Sequence, residues 1–291
     1  MSAGDTVWYI VHLLVVYSAL KSSTPTLTHV IPSQGRRSVS AVTSLGDDVF
    51  VVRRNSQPQV EVYDAVTLTL QRHITVPGLG RYPLGLTACP DNNCLYMSDR
   101  NDHSIRVDSI HRVELSGSNA VKKWSVASNP AALSVNIAHN LVVACQGTNV
   151  LQEYTTHGSL VRVLCLHGVT NPWHAIQLST GDYVVSQQTS SGVVSVVSVD
   201  GRVTHSYGQS QTSDVGQMNY PSSLAVTKND DILVADEYNN RILSINRSTG
   251  RVQELALSVY GGIQLPLGLF LDELRGRLYV GELGDRVLVC M

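Results

Sequence analysis

Arginine and aromatic residues are the side chains of this sequence whose chemistry best suits a binding site. A guanidinium group can donate paired hydrogen bonds to a carboxylate or a phosphate, and an exposed ring can stack on a nucleotide base. The candidate residues for contact with a partner are Arg53, Arg54, Arg81, Tyr82, Arg100, Trp173, His174 and Tyr220. These residues could bind an acidic peptide or single-stranded RNA, and their types alone do not separate the two ligands.

Catalytic signatures are absent from the sequence. It contains no Gly-x-Ser-x-Gly, no His-Glu-x-x-His and no phosphate-binding loop. His174 stands alone at its place in the repeat described below, whereas a zinc or calcium site needs several converging ligands. We therefore predict no catalytic residue, no bound metal and no cofactor.

Composition favours a single all-β domain. The chain has 291 residues, of which 43% are hydrophobic and 15% are charged, and its formal net charge is −2. Abundant Val, Ser and Gly with few charges are typical of many short strands joined by tight turns. The near-neutral balance argues against a molecule-wide field for nucleic acid, although a local basic patch is compatible with it.

A recurring proline indicates the elements that must position the candidate residues. Prolines at positions 83, 130, 172, 221 and 266 each open a similar segment, such as Tyr82-Pro-Leu-Gly-Leu and Tyr220-Pro-Ser-Ser-Leu. Successive prolines are 42 to 49 residues apart. Self-similarity at such a period predicts a repeat architecture.

Strand patterns within one repeat predict a four-stranded sheet. After Pro221 the predicted strands are 223–227, 232–236, 241–246 and 251–256, with polar turns between them. Similar strands occur in five other repeats, of which the first lacks the proline; in the second, the third strand is predicted at 105–110. Four-stranded sheets that repeat radially are propeller blades. The predicted fold is an all-β, six-bladed β-propeller of four-stranded antiparallel blades over residues 24–291.

The sixth repeat has only three predicted strands, at 267–271, 277–282 and 286–290. A three-stranded last blade would leave an exposed sheet edge. Residues 26–31 form a β-rich segment that precedes the first blade and has no partner of its own. We predict that this N-terminal strand completes the sixth blade and closes the ring.

In such a blade, the loops before the first strand and after the second lie on one face, here called the loop face. Loops on a rigid scaffold often carry function. Arginines of blades one and two, with Arg36, Arg37 and His103, should lie there opposite acidic residues of blades five and six. Trp173 is predicted to be exposed, because the other repeats have small or aliphatic residues at its position. His174 should point toward the central channel.

One segment, Tyr220-Pro-Ser-Ser-Leu-Ala-Val-Thr-Lys-Asn-Asp-Asp-Ile-Leu-Val-Ala-Asp-Glu-Tyr-Asn-Asn-Arg-Ile, closely resembles the NHL repeat. That family's pattern is a proline, an alternating strand, a polar turn, a strand ending in Ala-Asp, and an Asn-x-Arg-Ile/Val element. The resemblance covers about residues 38–291 and is weakest in blades three and four, where Gln146 and Gln187 replace the acidic residue. It implies two structural pairs, Asp236 with Arg241 and Glu282 with Arg286.

The resemblance implies a non-catalytic, monomeric interaction module that binds a protein or peptide on its loop face. A familiar setting for NHL propellers is target recognition in tripartite-motif ubiquitin ligases, but nothing here supplies a RING, a B-box or a coiled coil. Two alternatives stay open. One is RNA binding through the basic half of the loop face, and the other is a secreted propeller enzyme with a channel metal, because NHL propellers are similar to the amidating lyase and to lactonase or esterase propellers.

Residues 1–23 form an N-terminal apolar segment. Its uncharged stretch, residues 7–20, is too short to span a membrane. Only Asp5 is charged before it, whereas a secretory signal normally begins with positive residues. The segment is therefore a signal peptide, part of a longer chain or a loosely packed strand, and a cytoplasmic location is favoured over a secreted one. Five cysteines do not suggest a disulfide framework, and Cys89 and Cys94 are expected to be free unless the compartment is oxidising.

Overall fold

The computed structural model describes residues 25–31, 38–54, 57, 59–100, 108–117, 119–126, 129–208, 216–259 and 261–291. Within these residues, six four-stranded antiparallel sheets form the blades of a propeller. The predicted fold class is therefore confirmed. The predicted N-terminal segment, residues 1–23, lies outside the described residues, as do Arg36, Arg37 and His103.

The first three blades are built from consecutive strands. Blade one contains β2 to β5, which span Val39–Leu45, Asp48–Arg53, Gln59–Asp64 and Leu70–Thr75. Blade two contains β6 to β9, which span Pro83–Cys89, Cys94–Asp99, Ser109–Glu114 and Val121–Ser125. Blade three contains β10 to β13, which span Pro130–Val135, Leu141–Cys145, Val150–Tyr154 and Leu160–Cys165.

The remaining blades follow the same order until the last. Blade four contains β14 to β17, which span Pro172–Gln177, Tyr183–Gln187, Val193–Val197 and Val203–Tyr207. Blade five contains β18 to β21, which span Pro221–Val226, Ile232–Asp236, Arg241–Ile245 and Val252–Glu254, with a 3-10 turn at Glu237–Asn239. Blade six contains β22 to β24, which span Pro266–Asp272, Arg277–Glu282 and Val287–Cys290, and it also contains β1, Leu27–Ile31.

The hydrophobic core lies between neighbouring blades. Second strands are covered on both faces, so β11 and β19 are buried at every residue. A strand buried on both faces reads as a continuous apolar run and not as an alternating one. Fourth strands form the outer edge, and β17 exposes three of its five residues. The first strands contact one another around the axis, from β2 through to β22 and back to β2.

The two ends of the chain close the ring, as predicted. β1 pairs with β24 in antiparallel register, with Val30 opposite Leu288 and Ile31 opposite Val287. Two backbone hydrogen bonds between Thr26 and Met291 extend the pairing, at 2.8 and 3.1 Å. Blade six is thereby a complete four-stranded sheet, in which β1 covers the edge of β24 that would otherwise be unpaired.

One predicted strand is misplaced. The third strand of blade two was expected at 105–110, but β8 runs from Ser109 to Glu114. Its position follows from pairing with β7, where Asp99 lies opposite Ser109 and Cys94 lies opposite Glu114. Residues 105–107 of the expected strand lie outside the described residues, and the register with β7 extends the described strand to Glu114, beyond the predicted end.

Candidate binding cavity on the loop face

The end of the second strand defines two sets of equivalent residues, one position apart. The residue paired with the repeat proline, or with Val39 in blade one, forms what we call the latch ring. Its members are Arg53, Asp99, Cys145, Gln187, Asp236 and Glu282. The next residue in each blade forms what we call the cavity ring, with members Arg54, Arg100, Gln146, Gln188, Glu237 and Leu283.

In blades two, four, five and six, the latch-ring residue holds the loop that precedes the repeat proline. Asp236 Oδ1 accepts a hydrogen bond from the backbone N–H of Asn219 at 2.7 Å, and its Oδ2 lies 2.8 Å from Arg241 Nε. Glu282 repeats the arrangement, accepting from Gln264 N–H at 2.7 Å and pairing with Arg286 at 2.6 Å. Both carboxylates are fully buried. The two acid–arginine pairs expected from the sequence are thus present and join three segments of one blade.

Two other blades hold the loop before the proline in a similar way, one through a neutral amide and one through an aspartate that contacts a glycine. In blade four, Gln187 Oε1 accepts from Thr170 N–H at 2.9 Å, so an amide oxygen replaces the carboxylate. In blade two, Asp99 Oδ2 accepts from Gly80 N–H at 2.9 Å. A Cβ on Gly80 would lie 2.6 Å from Asp99 Oδ1, which excludes any side chain there. The absence of an acid in blade four therefore does not mean the loss of the contact.

Arg53 was predicted to contact a partner, and its burial contradicts that prediction. Its side chain is 1% exposed and its Nε lies 2.9 Å from Glu61 Oε2. Its Nη1 donates to the backbone oxygen of Asp285 in blade six at 2.6 Å. Arg53 belongs to the latch ring and ties blade one to blade six across the ring closure.

The loop face contains a cavity of about 700 Å³ around the propeller axis. Its lining includes five of the residues proposed from the sequence for partner contact: Arg54, Tyr82, Arg100, Trp173 and Tyr220. It also includes Leu84, Asn129, Gln188, Glu237, Tyr238, Leu267 and Leu283. Every blade contributes at least one lining residue. Arg81 is exposed but is not part of this lining.

Trp173 was expected to be exposed, and that expectation is wrong. Only 5% of Trp173 is accessible, because it packs with Leu84, Ala132 and Leu267 at the axis. We call Leu84, Trp173 and Leu267 the plug. These three residues line the loop-face cavity and also a second cavity of about 380 Å³ at the other side of the channel. The plug therefore forms the floor of the loop-face cavity and separates it from the rest of the channel.

His174 lines that second cavity and not the loop-face cavity, so it is also wrong as a loop-face contact. Its Nδ1 accepts a hydrogen bond from Leu224 N–H at 2.9 Å, and its Nε2 lies 3.1 Å from the backbone oxygen of Leu133. A carbonyl can only accept, so Nε2 carries the proton and the ring is neutral. Burial lowers the pKa of His174 to about 4. With both nitrogens engaged, the imidazole bridges blades three, four and five and has no lone pair left for a reaction.

Opposite charges face each other across the loop-face cavity. Burial lowers the pKa of Arg54, the charge of Glu237 opposes that shift, and Arg100 adds to it. Arg54 Nε is buried and has no hydrogen-bond partner among the described residues. Burial also raises the pKa of Glu237, against the effects of Gln188 and Arg54. Both shifts mean that the charged forms of these two groups are less stable here than in water.

Hydrogen bonds within the cavity ring leave specific groups available. Gln188 Nε2 donates to Glu237 Oε2 at 3.1 Å, and Arg100 Nη1 donates to Gln146 Oε1 at 3.2 Å. Glu237 Oε1 and Gln146 Nε2 have no hydrogen-bond partner among the described residues. The ring therefore presents guanidinium donors on the side of blades one and two and a carboxylate acceptor at blade five.

Tyrosines form one wall of the cavity. The rings of Tyr220 and Tyr238 lie 4.5 Å apart at a tilt of 37°. Tyr220 precedes its repeat proline with a φ of 56°, and at the same position blades three and four use Asn129 and Asn171. Asparagine tolerates this left-handed conformation, whereas another L-residue is destabilised there by about 1 kcal/mol. Tyr220 thus occupies a strained position on the cavity wall.

Sequence reasoning placed Glu237 on the loop face with the other acidic residues of blades five and six, and it missed Asn129, Gln188 and Tyr238 as cavity residues. A signal for Gln188 was present: it stands at the position equivalent to Arg54 and Arg100 when the repeats are aligned on the last residue of strand two. Of the acidic residues expected on the loop face, Asp236 and Glu282 are buried in the latch ring instead.

Other candidate sites can be described briefly. Within the part of the chain that the structure describes, no three His, Cys, Asp or Glu side chains are grouped as metal ligands. The five cysteines are free, and Cys89 lies opposite Cys94 across the β6–β7 turn. No helix among the described residues is long and apolar enough to cross a bilayer.

Comparison with protein families identifies one repeat. The family model of the NHL repeat matches residues 218–243, which include β18, β19 and the Asp236–Arg241 pair. One segment of this six-bladed propeller therefore matches the NHL repeat. In a search of curated proteins, no sequence matches this chain significantly.

Solved structures similar to this propeller include enzymes and a WD40 propeller domain. Virginiamycin B lyase from Staphylococcus aureus has a TM-score of 0.62 at 13% identity, over 87% of this chain and 80% of that chain. Hydrazine synthase from Kuenenia stuttgartiensis has a TM-score of 0.62 at 17% identity, over 85% and 74%. The WD40 propeller domain of Doa1 has a TM-score of 0.61 at 11% identity, over 92% and 96%. At such identities the similarity shows the fold alone.

Proposed function

We propose that this protein is a non-catalytic binding module that holds a segment of a partner protein in its loop-face cavity. The observation that carries the proposal is the convergence of Arg54, Arg100, Glu237 and the Tyr220–Tyr238 pair on one cavity with an apolar floor. Cavities of a few hundred to about 1,000 Å³ suit a small ligand or a few residues of chain. A loop tip or a chain end fits such a volume, whereas a long extended strand does not.

The placement of His174 favours binding over catalysis. Both ring nitrogens are used within the fold, and the plug stands between His174 and the loop face. The polar groups left at the loop-face cavity are donors and acceptors without a nucleophile–base pair among the described residues. Such a set can orient a ligand, and catalysis would require an activated group in addition. A secreted propeller enzyme therefore has weaker support than a binding module.

RNA binding has weaker support from the same geometry. Single-stranded nucleic acid is usually held along a positively charged groove, whereas Arg54 and Arg100 lie in a closed ring that also contains Glu237. Arg53, another arginine of the predicted basic half, is buried in an ion pair with Glu61 and cannot contact RNA. Target recognition for ubiquitin ligation stays a prediction from the family resemblance.

Selection of random peptides on the full chain tests the proposal. The selection should enrich peptides that no longer bind to Tyr238→Ala. Tyr238 is half-exposed on the cavity wall, so its removal leaves the core intact. The matched control is Arg202→Ala, because the side chain of Arg202 is exposed on a turn of blade four. Enrichment that is insensitive to Tyr238→Ala, or no enrichment at all, would refute the proposed site. Binding of a random single-stranded RNA pool with the same Tyr238 dependence would replace a protein ligand by RNA.

A further inference from the structure

The cavity ring changes its chemistry systematically around the axis. Blades one and two contribute guanidinium groups, blades three and four contribute amides, blade five contributes a carboxylate, and blade six contributes a leucine. The members occupy equivalent register positions, so the differences lie in the side chains and not in the backbone. A cavity with separate donor, amide, acceptor and apolar sectors can fix the orientation of a ligand as well as its position.

We propose that the ligand segment is anchored by a carboxylate that contacts Arg54 and Arg100, while Glu237 accepts a hydrogen bond from a backbone N–H of the same segment. This inference rests on the proposed function and names the chemistry of its ligand. The carboxylate can be an Asp or Glu side chain or the α-carboxylate of a chain end. Both sources share the geometry that a guanidinium recognises.

Arg54 supports the carboxylate sector. Its guanidinium lines the cavity, and its Nε is buried without a hydrogen-bond partner among the described residues. A buried donor without a partner lacks the hydrogen bond that it would make to water in the unfolded chain. A ligand carboxylate would satisfy this donor and would also compensate the loss of hydration that lowers the pKa of Arg54.

Arg100 supports the same sector from the neighbouring blade. One of its nitrogens, Nη1, holds Gln146 Oε1 at 3.2 Å, which fixes the guanidinium on the cavity lining. The influence of Arg100 on the pKa of Arg54 shows that the two cations feel each other's charge. Two like charges held near each other favour an anion that contacts both.

Glu237 supports the orientation of the segment. Its Oε2 accepts from Gln188, and its Oε1 has no hydrogen-bond partner among the described residues. A ligand carboxylate would be repelled by Glu237, whereas a backbone N–H would be attracted. A peptide offers both groups within a short length, and an isolated inorganic anion offers only one. The arrangement therefore favours a carboxylate within a polypeptide over free phosphate or another simple anion.

Neutralised peptides test this inference. Peptides selected on the full chain are resynthesised in three forms: unchanged, with Asp and Glu replaced by Asn and Gln, and with an amidated C-terminus. Calorimetry should show that one of the two neutral forms binds at least about tenfold more weakly, which also identifies the source of the carboxylate. Inorganic phosphate added as a competitor should have little effect.

A double-mutant cycle locates the carboxylate. In Arg54→Gln, the loss caused by neutralising the peptide should fall from about tenfold to less than about threefold, because the partner charge is gone. Arg100→Gln provides a second variant if Arg54→Gln unfolds, and Arg202→Gln is the control with an exposed arginine. If binding depends on Tyr238 but tolerates neutral peptides, the carboxylate anchor is wrong and the binding site stands. If no selected peptide depends on Tyr238, the site itself is wrong and the anchor falls with it.

Discussion

The latch ring and the cavity ring are one residue apart, and they differ in whether their polar groups are used up within the fold. In the latch ring, Asp236 and Glu282 are fully buried and each of them bonds both an arginine and a backbone N–H. In the cavity ring, Arg54 and Glu237 keep donor and acceptor capacity toward a cavity. The latch-ring residue is the last residue of the second strand, and the cavity-ring residue begins the loop that follows it. The same strand end can therefore stabilise the fold with one side chain and bind a ligand with the next.

Two adjacent arginines, Arg53 and Arg54, have different roles. Arg53 and Arg54 look equivalent in sequence, yet Arg53 is held by Glu61 and by the backbone of blade six, while Arg54 lines the cavity. Two neighbouring arginines in a repeat protein therefore do not by themselves form a basic surface patch. Which member faces solvent depends on the register of the strand that ends there.

The largest effect is expected in the latch ring. Arg241→Ala should lower the free energy of unfolding by about 3–5 kcal/mol, because it leaves the buried carboxylate of Asp236 without its cation. Denaturant unfolding measures this loss. The control is Arg202→Ala, which removes the exposed ion pair of Arg202 with Asp200 and should change the free energy of unfolding by less than about 1 kcal/mol. Equal effects in the two variants would contradict the structural role of the latch.

The next effect concerns pH and the inter-blade bridge made by His174. The pKa of His174 is lowered from 6.5 to about 4, so the unfolded chain binds a proton in this range that the folded protein does not. Stability should therefore be retained above pH 6.5 and should fall by about 3 kcal/mol as the pH decreases to 4. In His174→Gln this share of the pH dependence should vanish. An unchanged pH profile in that variant would show that another group is responsible.

A smaller effect is expected in the cavity ring. Arg54→Gln should weaken the binding of a carboxylate-bearing peptide about tenfold. It should change the free energy of unfolding by no more than about 0.5 kcal/mol. The physical reason is that Arg54 contributes charge to the cavity without a buried ion pair of its own to lose. Calorimetry and unfolding of the same preparation separate the two quantities. A stability loss as large as that of Arg241→Ala would remove the distinction between the rings.

The smallest effect is expected at Glu237. Glu237→Gln should weaken binding of the same peptide about two- to fivefold near neutral pH, because the ligand N–H loses a charged acceptor and keeps only an amide oxygen. Burial raises the pKa of Glu237, so the ionised form opposes folding, and this variant should also be slightly more stable at neutral pH. The charged groups that face Glu237 are Arg54 and, through it, Arg100.

The pH dependence of binding provides a check on Glu237. Burial raises the pKa of Glu237, so as the pH falls the affinity of the wild-type protein should begin to fall before the ligand's own carboxylate is protonated. Glu237→Gln should lack this first fall. A first fall that persists in the variant would assign the titration to another group and would contradict the role given to Glu237.

Much of the fold follows from local patterns. The spacing of the repeat prolines and the four-strand periodicity predict six blades, and the unpaired strand before blade one predicts the closure by β1 and β24. The third strand of blade two could not be located in this way, since its alternating residues allow more than one position and only pairing with β7 selects Ser109–Glu114. Local preference defines strands, whereas register needs a partner strand.

The candidate site was only partly predictable for a related reason. The sequence by itself determined the repeat, the chain closure and the acid–arginine pairs, because each depends on short-range spacing or on a pattern that recurs in every blade. Tertiary structure decided that Trp173 is a buried plug, that His174 is a bridge and that Glu237 faces Arg54 across the axis. Those three facts arise only when six blades meet around a common axis. Residues far apart in the chain then share one cavity, and burial by neighbouring blades sets both their exposure and their charge.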